Sequence, residues 1–156
     1  MRNLFIFLPL LALPLTSQAA NQVVVQISGE LIAPTLCDVT KNGDIDFGEI
    51  ISSKIDGTEY KKDLGVILTC TGRNPAQEVF ITLSGANAST NKLPVIGTAK
   101  GFQLVLKKNT TPQDFDSPFK VDTNGSLDLN ITPEINTDAF VHGTFSAAIT
   151  VKVDVV

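Results

Sequence analysis

Two sets of residues in this chain have the types and spacing that chemistry needs. The first is Asp38 to Glu49, DVTKNGDIDFGE, which fits the twelve-residue calcium-loop template. Asp38, Thr40, Asn42, Asp44, Asp46 and Glu49 fall on the ligand positions, Gly43 on the sharp turn and Ile45 on the apolar place. Oxygen donors at that spacing can surround a hard cation. The flanks are wrong for it, because such a loop sits between two helices. Here Pro34 and Cys37 precede, and residues suited to strands follow. The same segment is accounted for as a loop leading into an IDFG strand, and no metal site is assigned.

The second set is the pair Cys37 and Cys70, the only cysteines. In an exported chain they favour a single disulfide; two free thiols would require a reducing compartment. A loop of about 34 residues closed this way gains roughly 3.5–4 kcal/mol in the chain-entropy picture. His142, the only histidine, has no serine or cysteine arrangement around it and reads as a turn residue before Gly143. Asp114, Asp116, Asp122 and Asp128 lie in or near expected loops and read as solvated surface. Four Asn-X-Ser/Thr triplets, starting at Asn87, Asn109, Asn124 and Asn130, mark only Asn- and Thr-rich loops. There is no phosphate-cradling glycine loop and no zinc-ligand cluster, so neither an enzyme nor a cofactor is expected.

Export itself is read from the N-terminus. Arg2 is followed by LFIFLPLLALPL, an apolar core of about a dozen residues. Ser17 and Ala19 are small residues placed for cleavage after Ala19, so residues 1–19 are expected to be a signal peptide. The run is shorter than the roughly 20 residues a membrane span needs, and nothing later approaches that length. The net charge of the full chain is −4 with no basic cluster, which argues against nucleic acid and anionic membranes.

The elements that must position these residues are all strands. Val23 to Leu31, VVVQISGEL, carries Val23, Val25, Ile27, Gly29 and Leu31 on one face and Val24, Gln26, Ser28 and Glu30 on the other. That is the alternation of a strand with one buried face. Short strands are expected at Ile45–Ile51, Leu64–Cys70, Glu78–Ser84, Phe102–Leu106 and Ser126–Ile131. Gly85 to Thr98 reads mostly as loop, and Asn109 to Ser117 as a polar loop. Gly143 to Val156 is the longest clean alternation, with Phe145, Ala147, Ile149, Val151, Val153 and Val155 on one face. About seven strands separated by turn residues predict an all-β sandwich in one domain. An alternating strand before the cysteine-bounded body and an apolar-faced strand ending the chain would both be liabilities as open edges. Pairing of the two ends within one molecule is the alternative that periodicity leaves open.

The order of these features resembles the pilin subunits of the chaperone–usher pathway, the type 1 fimbrial family, over the whole mature chain. The matches are VVVQISGELIAPTLC with Gly29 among larger apolar residues, the Cys37/Cys70 spacing, Asp46-Phe47-Gly48, and Gly143 fourteenth from the C-terminus before alternating hydrophobes. Each is common alone; their order makes the resemblance. One departure is Val155, where the family usually has tyrosine.

The resemblance implies an incomplete immunoglobulin-like β-sandwich lacking its last strand, completed by a donor strand from a neighbouring subunit. It implies a donor-strand extension at residues 20–35 and a pilin domain at 36–156. Val23, Val25, Ile27, Gly29 and Leu31 would be the donor residues, with Gly29 where the acceptor groove is shallow. Phe145, Ala147, Ile149, Val151 and Val153 would line the acceptor groove and meet the chaperone. The implied partners are a periplasmic pilus chaperone, an outer-membrane usher and neighbouring fimbrial subunits, with export through the periplasm to a surface fimbrium that contributes to cell adhesion. The rival expectation is a secreted, self-contained β-sandwich binding module, with calcium dependence as a variant.

Overall fold

The computed structural model describes residues 23–136 and 139–156. The expected signal peptide therefore lies outside the described residues. The chain separates into two units, Met1–Leu31 and Ile32–Val156. Of the first unit, residues 23–31 adopt no strand, and Val23, Val25, Ile27 and Leu31 are exposed.

In the second unit thirteen strands follow in order: β1 (Leu36–Lys41), β2 (Lys62–Asp63), β3 (Val66–Thr71), β4 (Val79–Gly85), β5 (Lys92–Pro94), β6 (Ile96–Gly97), β7 (Phe102–Lys108), β8 (Thr111–Pro112), β9 (Phe119–Lys120), β10 (Gly125–Ser126), β11 (Leu129–Ile135), β12 (Phe145–Ser146) and β13 (Ile149–Val155). The only helix among the described residues is a 3₁₀ turn at Ser52–Lys54. All ladders are antiparallel.

One layer runs β1, then β2 and β3 end to end, then β10 and β11 end to end, then β7 and β5, with β8 also on β7. The Leu64 N–H to Leu129 carbonyl bond (2.8 Å) and the Leu127 N–H to Val66 carbonyl bond (2.9 Å) carry the ladder across the joins. The other layer is β13, β4 and β9, while β6 and β12 form a short ribbon. Period-two burial puts Val66, Leu68 and Cys70 of β3, Val79, Ile81 and Leu83 of β4, and Phe102, Leu104 and Leu106 of β7 into one apolar cluster. This is the expected all-β sandwich.

Besides Val23–Leu31, which adopts no strand, two further expected strands come out differently. Ile45–Ile51 is not a strand: the Gly48 N–H bonds Asp46 Oδ1 at 2.8 Å, and Gly48 turns at φ +59°. The backbone there bends where an IDFG strand was expected, because an Asp two residues before a glycine favours a local turn over a ladder. The C-terminal run is not one strand either. Its chain changes partner at Ala147–Ala148, leaving β6 (Phe145 opposite Gly97) for β4 (Ile149 opposite Gly85).

Cys37 and Cys70 are bonded, and they face each other in the β1–β3 ladder, closing a separation of 33 residues. The bond ties the edge strand β1 to the interior strand β3. Replacing both cysteines by alanine should lower unfolding stability by about 3.5–4 kcal/mol, read from the midpoint of urea unfolding at unchanged slope.

Candidate functional site

The sandwich is not closed all round. β1 pairs only with β3, and β13 only with β4. Among the described residues no ladder pair joins β1 to β13, although the two strands run close to one another. Between the segment Lys41–Gly48 that continues from β1 and the segment Gly143–Val151 lies a groove with a cavity of about 610 Å³. Its floor is the core itself: Leu64, Val66, Leu93, Leu104 and Ile131 reach it from the opposite layer.

Each bank has a local cause. On one side β1 ends at Lys41, and the turn at Asp46–Gly48 sets Ile45 and Phe47 half-buried against the core. On the other, Gly143 lets the chain approach Thr98 closely. A Cβ at Gly143 would fall 2.9 Å from the Thr98 Cβ and 3.1 Å from the Ala99 nitrogen, so only glycine fits. Thr144 then accepts from the Thr98 and Ala99 N–H groups at 3.0 and 3.1 Å, which launches β12. The Phe145 ring meets Phe102 edge-on at 5.0 Å and lies 5.9 Å from Phe47. The two banks therefore touch through aromatic rings at this end.

Of the residues that sequence reasoning assigned to an acceptor groove, Phe145, Ala147, Ile149 and Val151 line this cavity. Val153 does not line it; it lies half-buried beside the core. Ile149, Val151 and Val153 stay half-buried, whereas Val79, Ile81 and Leu83 on the adjoining β4 are fully buried. The difference follows from position, since β4 has a strand on both sides and β13 has one. Sequence reasoning missed the opposite bank at 43–48 and the floor. Ile45 and Phe47, two apolar residues two apart, were the available signal, but they were read as part of a strand.

The calcium-loop template resolves into other roles. Its first positions, Asp38 to Lys41, lie extended in β1 and cannot curl around an ion. The Asp38 carboxylate accepts from the Val39 N–H at 2.9 Å, and Asp46 is committed to Gly48. Lys41 hydrogen-bonds Asp44 and holds its exposed carboxyl below the ordinary carboxylate range. Among the described residues no group of three or more His, Cys, Asp or Glu is placed to hold a metal. Asp116 accepts from the Ser84 hydroxyl at 2.6 Å, and Asp122 pairs with Lys120 at 3.5 Å. His142 is exposed beside the groove's end. No helix among the described residues is long and apolar enough to cross a membrane.

A groove of largely apolar lining thus lies open between the segment that follows β1 and the chain that enters β13. The sandwich is of an incomplete immunoglobulin-like kind, and the comparisons agree. No protein-family model matches the sequence. The structure is similar to the crystal structure of the P pilus rod subunit PapA, with a TM-score of 0.58 and 18% identity over 79% of this chain and 92% of that one. In sequence the chain is 27% identical over 156 residues to the fimbrial-like protein YfcQ of Escherichia coli strain K12, covering 95% of this chain and 96% of that protein. It is 27% identical over 149 residues to YfcR, a second fimbrial-like protein of the same strain, covering 90% and 85%. The fold is that of a pilus subunit. In sequence the chain is similar to these fimbrial-like proteins.

Phe145→Ala should remove the aromatic contact of Phe145 with Phe47 across the two banks, lowering stability by about 2 kcal/mol in urea unfolding. The amide signals of 45–48 should broaden more than those of β4.

Proposed function

We propose that this protein is a structural subunit of a surface fimbria, polymerising by donor-strand complementation and exchange. The observation that carries the reading is the open groove, floored by core side chains and lying between the segment Lys41–Gly48 that follows β1 and the segment Gly143–Val151 that enters β13. The occupant is the N-terminal extension of a neighbouring subunit, inserting Val23, Val25, Ile27, Gly29 and Leu31 as alternate side chains. Before assembly a periplasmic chaperone lends a strand, and exchange takes place at an outer-membrane usher. The chain has no catalytic role, and its contribution to adhesion is as part of the fibre.

Three observations support this reading. The extension's alternating run, residues 23–31, matches in length the bank at residues 143–151. Its apolar side chains are exposed, Ile27 at 93% and Leu31 at 101%, so they have no burial to give up before entering a neighbour. Nothing lies within 4 Å of a Cβ built on Gly29, so its own chain does not require glycine there. The forces are those of β-strand addition, with ladder hydrogen bonds holding the donor and pockets selecting it. Burying four large aliphatic side chains gives roughly 6–12 kcal/mol before ordering costs, comparable with the stability of a domain. No covalent bond between subunits is needed.

A synthetic peptide of residues 23–33 added to the mature chain should raise its unfolding temperature and block its polymerisation. The same peptide with Ile27→Asp should do neither. A mature chain that stays monomeric and equally stable with or without the peptide would leave the groove without this role. In a second test, Gly29→Leu in the donating subunit should slow exchange roughly 5- to 100-fold, the overpacking cost at a shallow position, without changing that subunit's own unfolding.

A further inference from the structure

The end of β3 holds an arrangement that assembly does not use. Arg73, three residues after Cys70, folds back over the disulfide. Its Nη1 donates to the carbonyls of Val121 (3.2 Å) and Asp122 (2.9 Å), and its Nε donates to Asn124 Oδ1 (3.3 Å). Nη2 is left pointing at Cys70 Sγ, 3.6 Å away. Among the described residues no carboxylate pairs with this guanidinium: the Asp122 side chain pairs with Lys120 instead. Asn124 also fixes the Cys70 backbone from both sides, accepting from its N–H at 3.0 Å and donating to its carbonyl at 2.8 Å. Cys37 is the opposite case. It is half-buried on β1, a strand with one neighbour, whereas Cys70 is 6% exposed in the interior of the sheet.

We propose that Arg73 makes the disulfide directional, with Cys37 the sulfur that exchanges with outside thiols and Cys70 the sulfur that leaves or attacks beside the guanidinium. On reduction a thiolate RS⁻ attacks Cys37 Sγ, and the Cys37–Cys70 bond breaks. Its electron pair goes to Cys70 Sγ, which is held as thiolate against Nη2. A second RS⁻ then attacks the sulfur of R in the mixed disulfide, releasing RSSR and the Cys37 thiolate. On formation the steps reverse. A disulfide RSSR first oxidises Cys37 to the mixed disulfide and releases one RS⁻. The Cys70 thiolate then attacks Cys37 Sγ and expels the second RS⁻, which takes its proton from water. A cation beside the sulfur favours the thiolate, and a better leaving thiolate leaves faster. Arg73 is a positioning residue in this scheme, since it acts through Cys70.

The direction of the effect separates charge from packing. If Arg73 only clamped residues 121–124 over β3, Arg73→Gln would loosen that cover and speed attack on the disulfide. Under the proposal Arg73→Gln slows reduction of the oxidised full chain by glutathione about three- to tenfold, and Arg73→Lys recovers most of the rate. Both are followed in native buffer, with circular dichroism confirming that each variant is folded. Rates for Arg73→Gln that are unchanged or faster would overturn it. Folding-independent support comes from the wild-type protein: partial reduction with limiting glutathione, acid quench and mass mapping should place the glutathione on Cys37 and the free thiol on Cys70. Glutathione found mainly on Cys70 would overturn the assignment.

Discussion

The constraint behind this architecture is that a sheet edge cannot be both apolar-faced and unpaired without consequence. β13 presents Ile149, Val151 and Val153 to the core on one face and a full row of backbone donors and acceptors along one flank. β1 and the segment beyond it present the facing flank. A lone molecule leaves both rows to water and leaves core side chains such as Leu64 and Leu104 at the bottom of a channel. In the proposed assembly a donated strand would meet both needs, supplying ladder hydrogen bonds along its edges and side chains on one face.

Several local restraints fix the strands that lead into the groove's banks. The disulfide ties β1, which leads into one bank, to β3. Just before β1, Thr35 is buried and bonded three ways. Its N–H donates to Gln77 Oε1, its hydroxyl donates to the Gly72 carbonyl, and it accepts from the Asn74 N–H, at 2.9, 3.2 and 3.0 Å. These bonds anchor the chain where it enters β1. The opposite bank is fixed by the close approach of Gly143 to Thr98 and by the seven-residue ladder of β13 on β4.

Much of this was legible in the sequence wherever period two carried the information. β3, β4, β7 and β13 follow from alternation, and the sandwich follows from their number and spacing. What failed was local. DIDFG has the composition of a strand, but a carboxylate two residues ahead of glycine captures the backbone N–H and bends it. The break at Ala147–Ala148 is invisible to periodicity because the side chains keep alternating while the hydrogen-bond partner changes from β6 to β4. The calcium-loop match failed for a related reason. Ligand spacing is a property of a curled loop, and β1 takes the first positions into a ladder. One bank was readable because its side chains alternate through β12 and β13; the other is a bent segment whose place is set by tertiary packing.

Val155, where the resemblance leads one to expect tyrosine, is held without an aromatic ring. It pairs with Val79 in the last rung of the ladder and stays half-buried. One residue further, Val156 exchanges two backbone bonds with Glu78, at 2.8 and 3.0 Å. Backbone pairing therefore runs to the final residue, and the side chain at 155 contributes little more than a small apolar contact. A tyrosine would add a large ring and a hydroxyl needing a partner of its own. The smaller residue leaves the outer end of β13 recognisable chiefly by its backbone edge. In the proposed assembly, a strand laid along that edge would meet the groove-lining residues between Gly143 and Val151.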